Sequence, residues 1–115
     1  MQQKRSSAGS KGLELEPLAG LFRLLSDKTR LNILMLLSQG ERNVTSLCEE
    51  LNLPQPTVSH HLGLLRMSNL IGNRRAGKQV FYGMNGQVES TADRKTLNIT
   101  IDDFDIQIAP RIWDI

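Results

Sequence analysis

The side chains with the most chemical potential fall in two short runs. Gln55-Pro56-Thr57-Val58-Ser59-His60-His61 gathers an amide, two hydroxyls and two imidazoles; Arg74-Arg75-Ala76-Gly77-Lys78 gathers three cations around a glycine. Hydrolysis or group transfer would need a nucleophile beside a base, paired carboxylates in a pocket or a glycine loop that cradles phosphate, and none of these patterns occurs. No catalytic residue and no cofactor are therefore expected, and the chain does not read as an enzyme. Adjacent imidazoles on a helix point about 100° apart and cannot share a metal ion. Cys48 is the single cysteine, whereas soft metals demand two or three thiolates, so no metal site is expected. As a redox switch Cys48 would need an electropositive setting, and Glu49 and Glu50 oppose one; a half-buried structural thiol is the plainer reading. Short hydrogen-bonding side chains at the start of a helix suit the edges of bases in a major groove, and cations at a turn suit phosphates or a narrow minor groove. The candidate DNA-binding residues are thus Gln55, Thr57, Ser59 and His60 on a helix, with Arg74, Arg75 and Lys78 on a hairpin.

The elements that must position these groups can be read from periodicity. From Pro54 to Asn69, Val58, Leu62 and Leu65 share one side of a helix, while Thr57, His60, Gly63 and Met67 fall on or near the other. Pro54 and Pro56 permit a helix to start there but not to pass through, and Asn69 tolerates the left-handed geometry that closes one. His60 faces the open side; His61 lies nearer the apolar side, where a hydrogen-bonded structural role suits it. A two-turn amphipathic piece, Ser46 to Leu51, precedes this helix across Asn52-Leu53-Pro54, which is a helix-turn-helix arrangement. Ser46 with Glu49 fits a capping box, and Thr45 is an equally good cap. Upstream, Leu18, Leu21, Phe22 and Leu25 form the stripe of a first helix beginning at Pro17. Ser26 or Asp27 caps a second helix with Leu31, Leu34 and Leu37 as its stripe and Gly40 as its stop; Ile33, Met35 and Leu36 widen its apolar surface, which predicts burial from more than one side. Arg30, near the start of that helix among apolar neighbours, needs a carboxylate or carbonyl partner. Downstream, Leu70 to Arg75 and Gln79 to Met84 read as two strands joined through Gly77, a basic hairpin.

The run Gln55 to Leu62 with Leu65-Arg66 resembles the recognition helix of the arsenic-repressor (ArsR) family of winged helix-turn-helix regulators. Further pieces of the resemblance follow in order: Leu25-Ser26-Asp27-Lys28-Thr29-Arg30-Leu31, Ile33-Leu34 and Leu36-Leu37 upstream, then Arg74 to Lys78 with Val80 and Tyr82 downstream. Together they span about residues 18–85. The resemblance implies a mainly α fold with a small β-hairpin wing, double-stranded DNA as partner, a homodimer, a palindromic operator and repression of transcription. It names no effector for this sequence. The family's thiolate metal site has no second cysteine here, and its site on a closing helix has no histidine after His61.

Composition sets the outer bounds. A chain of 115 residues supports one small domain, and an aromatic content of 4% leaves the core to aliphatic side chains. The net charge of +2 hides an asymmetry: residues 1–85 carry 11 Lys or Arg against 6 Asp or Glu, giving +5, and residues 86–115 carry 3 against 6, giving −3. The basic part is the part that resembles a DNA reader. Residues 1–12 read as a flexible tail, 13–85 as the winged helix-turn-helix domain and 86–115 as an extension unlike the long closing helix of many relatives. Within the extension, residues 86–96 read as linker or short helix; Leu97, Ile99 and Ile101, then Phe104, Ile106 and Ile108, alternate as a second hairpin around Asp102-Asp103. That extension must pack on the domain or its dimer partner, or serve as a docking segment, which would make the chain a protein-interaction module instead. No apolar run approaches the roughly 18 residues of a membrane span, and the absence of a signal sequence points to a cytoplasmic protein with no membrane partner.

Overall fold

The computed structural model describes residues 13–91 and 96–111. Four helices come first: α1 (Glu16–Leu25), α2 (Lys28–Leu37), α3 (Val44–Leu51) and α4 (Gln55–Met67), with a two-residue strand, β1 (Arg42–Asn43), before α3. Strands β2 (Ile71–Ala76) and β3 (Gln79–Met84) form the wing, and β4 (Val88–Ser90), β5 (Leu97–Ile101) and β6 (Phe104–Ile108) form a separate sheet in that order. Helix α3, a tight turn, helix α4 and the β2–β3 hairpin make a winged helix-turn-helix.

Local chemistry sets the boundaries. Pro17 occupies the first turn of α1, where its missing N–H costs nothing. Asp27 caps α2, its carboxylate accepting from the Arg30 N–H at 3.0 Å. That hydrogen bond is the first reason that its carboxyl sits below the usual value. The cap of α3 is neither Thr45 nor Ser46 but Asn43, whose side-chain oxygen accepts from the Ser46 N–H at 2.8 Å. The helix therefore starts at Val44, three residues earlier than a cap at Ser46 implies. Asn and Ser rank alike as N-caps, so local preference alone does not choose between them. The Ser46 hydroxyl turns to Glu50 at 3.0 Å. Asn52 at φ 56° and Asn69 at φ 62° adopt the left-handed geometry that ends α3 and closes the turn after α4.

The core is wholly aliphatic, as 4% aromatics required: Leu21, Leu25, Ile33, Leu34, Leu37, Leu47, Val58, Leu62, Leu65, Leu70, Ile71, Val88, Leu97 and Ile99 form one buried cluster. In α2 Ile33 and Leu34 are fully buried and Leu37 nearly so, with Leu31 only partly covered. Helix α2 is central, touched by α1 on one side and α4 and β3 on others, so its apolar surface exceeds a single stripe.

Residues 86–96 are not helical where described. Val88 pairs with Ile99 and Ser90 with Leu97, making β4 a third strand. A single large apolar residue in that stretch, Val88, gave no alternation to read, and backbone pairing decided it. The predicted second hairpin is present, from Leu97↔Ile108 to Ile101↔Phe104. Asp102 supplies the turn at φ 49°, a geometry Asp tolerates better than most side chains. Val88, Leu97 and Ile99 belong to the same core as the helices, and the Ser90 hydroxyl reaches the carbonyl of Ser38 after α2. The extension thus packs on the winged helix itself. No helix among the described residues is long and apolar enough to cross a membrane.

Candidate nucleic-acid interface

Helix α4 divides as its sequence predicts. Val58, Leu62 and Leu65 are buried, whereas Gln55, Ser59 and His60 are exposed and Thr57 is half-buried. Thr57 lies one residue from Val58 and about 200° from Gln55, so it edges toward the body of the domain. The open face is centred on Gly63: a Cβ built there would meet nothing within 4 Å. Arg66 and Met67 continue that face, and Met67 is 81% exposed. Arg66 was not among the sequence candidates, yet the signal was available, since it follows Ser59 by seven residues and so shares its side.

The seat of α4 is held by one polar contact through the core's edge. The Arg30 side chain donates from Nε to the carbonyl of Leu24 at 2.6 Å and from a terminal nitrogen toward His61 Nδ1 at 3.1 Å. A guanidinium only donates, so Nδ1 must accept and the proton of a neutral imidazole sits on Nε2. The carbonyl that Arg30 needed is therefore the last turn of α1, and its second partner is the middle of α4. His60 and His61 meet edge to face, ring centroids 5.3 Å apart, and only His60 is exposed.

In the wing, strand alternation separates the two arginines. Arg74 pairs with Phe81 and Arg75 with Val80, which places them on opposite faces. Arg74 lies over the Phe81 ring at 5.0 Å and donates to both oxygens of Glu41, with contacts of 2.8 to 3.1 Å. These hydrogen bonds hold the Glu41 carboxyl below its ordinary value and raise the Arg74 guanidinium further. The charge of Arg74 is thus matched within the protein. Arg75 and Lys78 are exposed, Lys78 within the turn beside Gly77 at φ 64°. Sequence alone grouped Arg74 with them because Glu41 lies 33 positions away and its pairing depends on β1 joining the edge of β3.

A cleft of about 230 Å³ joins the wing to the first helix of the motif, lined by Asn43, Val44, Thr45, Lys78, Gln79 and Val80. Asn43 bridges it, donating from its amide to Gln79 Oε1 at 3.0 Å while capping α3. Exposed Thr45 in the first turn of α3 and Lys78 across the cleft offer a hydroxyl and a cation to one anion. Cys48 is a half-buried free thiol packed at the core's margin. Among the described residues no three His, Cys, Asp or Glu side chains come together.

Comparison with known proteins adds to this geometry. A family model described as "Bacterial regulatory protein, arsR family" matches residues 27–72, from the cap of α2 into β2. The transcriptional repressor SdpR of Bacillus subtilis is 35% identical over 68 residues, 59% of this chain and 76% of that protein. The arsenical resistance operon repressor of Escherichia coli is 45% identical over 73 residues, 63% of this chain and 62% of that repressor. The chain thus spans less than two thirds of the latter's length. A homodimeric winged helix-turn-helix DNA-binding domain from Mycobacterium bovis superposes with a TM-score of 0.59 at 31% identity, covering 75% of each chain.

Proposed function

Because this chain belongs to the arsR family of bacterial regulatory proteins, we propose that it is a transcriptional repressor that binds duplex DNA as a homodimer at a palindromic operator. The observation that carries this reading is the open polar face of α4, with Gln55, Ser59 and His60 exposed around Gly63, beside a wing whose Arg75 and Lys78 are exposed. In the major groove that face brings an amide, a hydroxyl and an imidazole to base edges, with Thr57 at its margin. Arg75 and Lys78 take the backbone, Arg66 a phosphate at the far end of α4, and Arg74 joins only if a phosphate displaces Glu41. Relatives named as repressors and a homodimeric structural neighbour support the regulatory and dimeric parts. The homodimer is also supported by α1 and its N-cap, where Leu15 just before the helix and Phe22 within it are 60% and 53% exposed, seven residues apart and on one side. No step requires catalysis, a cofactor or a metal.

Fluorescence anisotropy of labelled duplexes across a salt titration tests the reading. Binding should weaken as salt rises, with a log–log slope of about −0.9 per phosphate neutralised. Salt-independent binding, or none at low salt, would sink it.

A further inference from the structure

Strand β6 ends its sheet, and among the described residues nothing pairs with its outer edge. Its sequence, Phe-Asp-Ile-Gln-Ile, lacks the lysine, proline or bulge by which exposed edges usually avoid pairing. The direction of its free backbone groups follows from its neighbours. The Thr100 N–H donates to Gln87 on the β4 side at 2.9 Å, so Thr100 and Asp105 form a wide pair in the β5–β6 ladder. Asp105 and, two residues on, Gln107 therefore turn their N–H and C=O outward, while Phe104, Ile106 and Ile108 turn theirs to β5. The side chains tell the same story. Leu97 and Ile99 of β5 are 1% and 0% exposed, but Phe104, Ile106 and Ile108 on the same face of β6 are only half covered. The apolar layer runs out at the edge.

We infer that β6 pairs antiparallel with β6 of a second copy about Ile106, joining two three-stranded sheets into one. This register is self-complementary. Asp105 and Gln107 each exchange both backbone hydrogen bonds with the other residue of the partner strand. On the polar face the Asp105 carboxylate meets a Gln107 amide; a parallel in-register pairing would set Asp105 against Asp105. On the apolar face Phe104 meets Ile108, and Ile106 meets itself. A two-fold axis normal to the sheet keeps both apolar faces on one side, each over its own winged helix. Edge pairing here takes the place that a closing helix holds in many relatives. The inference rests on the homodimer proposed above and names a contact for it.

Cross-linking tests the contact. In a Cys48→Ser background, Ile106→Cys places two thiols in a wide antiparallel pair with Cα atoms about 4.5 Å apart, within disulfide reach. Mild oxidation should convert the full chain to a covalent dimer, whereas Thr100→Cys, three strand spacings or roughly 14 Å from its copy, should not cross-link. Gln107→Pro removes an outward N–H without touching the β5 ladder. It should raise the dimer dissociation constant at least tenfold in sedimentation and leave the monomer folded by circular dichroism. If that variant fails to fold, Asp105→Lys with Gln107→Lys tests the same edge by like-charge repulsion. A parent dimer with no Ile106→Cys cross-link, unmoved by either edge variant and dissociated by Phe22→Glu, would overturn the β6 contact while the homodimer stands. A parent that stays monomeric at micromolar concentration with and without DNA would overturn both.

Discussion

At the residue scale, the side chains divide by what they already touch. Ser59 and His60 are exposed with the open face of α4, so Ser59→Ala or His60→Ala should cost about 1–3 kcal/mol on the preferred site and relax preference at particular base pairs. Identical selection profiles for variant and parent would remove them from base reading. The wing should show a division among its cations: Arg75→Ala and Lys78→Ala each flatten the salt slope by about 0.9, and Arg74→Ala changes it less, because Glu41 already holds that guanidinium. Glu41→Gln should then steepen the slope by freeing Arg74. The sign of the pH effect follows from the depressed Glu41 carboxyl. Its contribution to stability is present above the ordinary value of 4.5 and is lost as pH falls through the lower folded value. The difference in melting temperature between parent and Glu41→Gln should therefore vanish in acid, and a difference that persists at pH 2 would contradict the pairing.

Arg30 and Gly63 act at the scale of elements, one fixing how α4 sits and the other how closely it can approach. Arg30→Met would leave the Leu24 carbonyl and His61 without their shared donor, destabilising by about 1–3 kcal/mol. Arg30→Lys should rescue little, since one ammonium does not reproduce the forked geometry. Urea unfolding would decide it; full rescue by Lys would reduce the contact to charge alone. Gly63→Ala should stabilise α4 by roughly 0.5–1 kcal/mol, with open space around its Cβ. Gly63→Glu should keep the fold yet abolish DNA binding. Periodicity made the helices, the wing and the second hairpin legible, because Val58, Leu62 and Leu65 or Leu97, Ile99 and Ile101 repeat at the period of their element. It missed the Asn43 cap, since Ser, Thr and Asn within four positions are chemically equivalent candidates and only the path of β1 along β3 selects one. It missed β4 because strand pairing is a long-range fact with one apolar residue, Val88, to announce it. Of the candidate site, the α4 face was readable from the helix wheel. The commitment of Arg74 to Glu41 was not, because ion pairs across 33 positions leave no periodic trace.

At the scale of the whole molecule, the helices and the second sheet share one core through Val88, Leu97 and Ile99, so the extension is part of the domain's stability. Ile99→Ala should cost about 2–5 kcal/mol, comparable with Leu62→Ala in α4, in a single cooperative transition. Truncation after Met84 should lower the melting temperature by on the order of 10 °C or more, since three buried anchors are lost at once. A truncated chain that melts with the parent would detach the extension from the domain. The central claim is sequence-specific DNA binding by a symmetric pair of α4 helices, and iterative selection of bound duplexes from a random pool, with protected bases mapped on the winners, tests it most directly. The account predicts two inverted half-sites with centres about 10 base pairs, or roughly 34 Å, apart, whose consensus blurs with Ser59→Ala or His60→Ala. A pool that stays random after selection, or a consensus untouched by both substitutions, would contradict it.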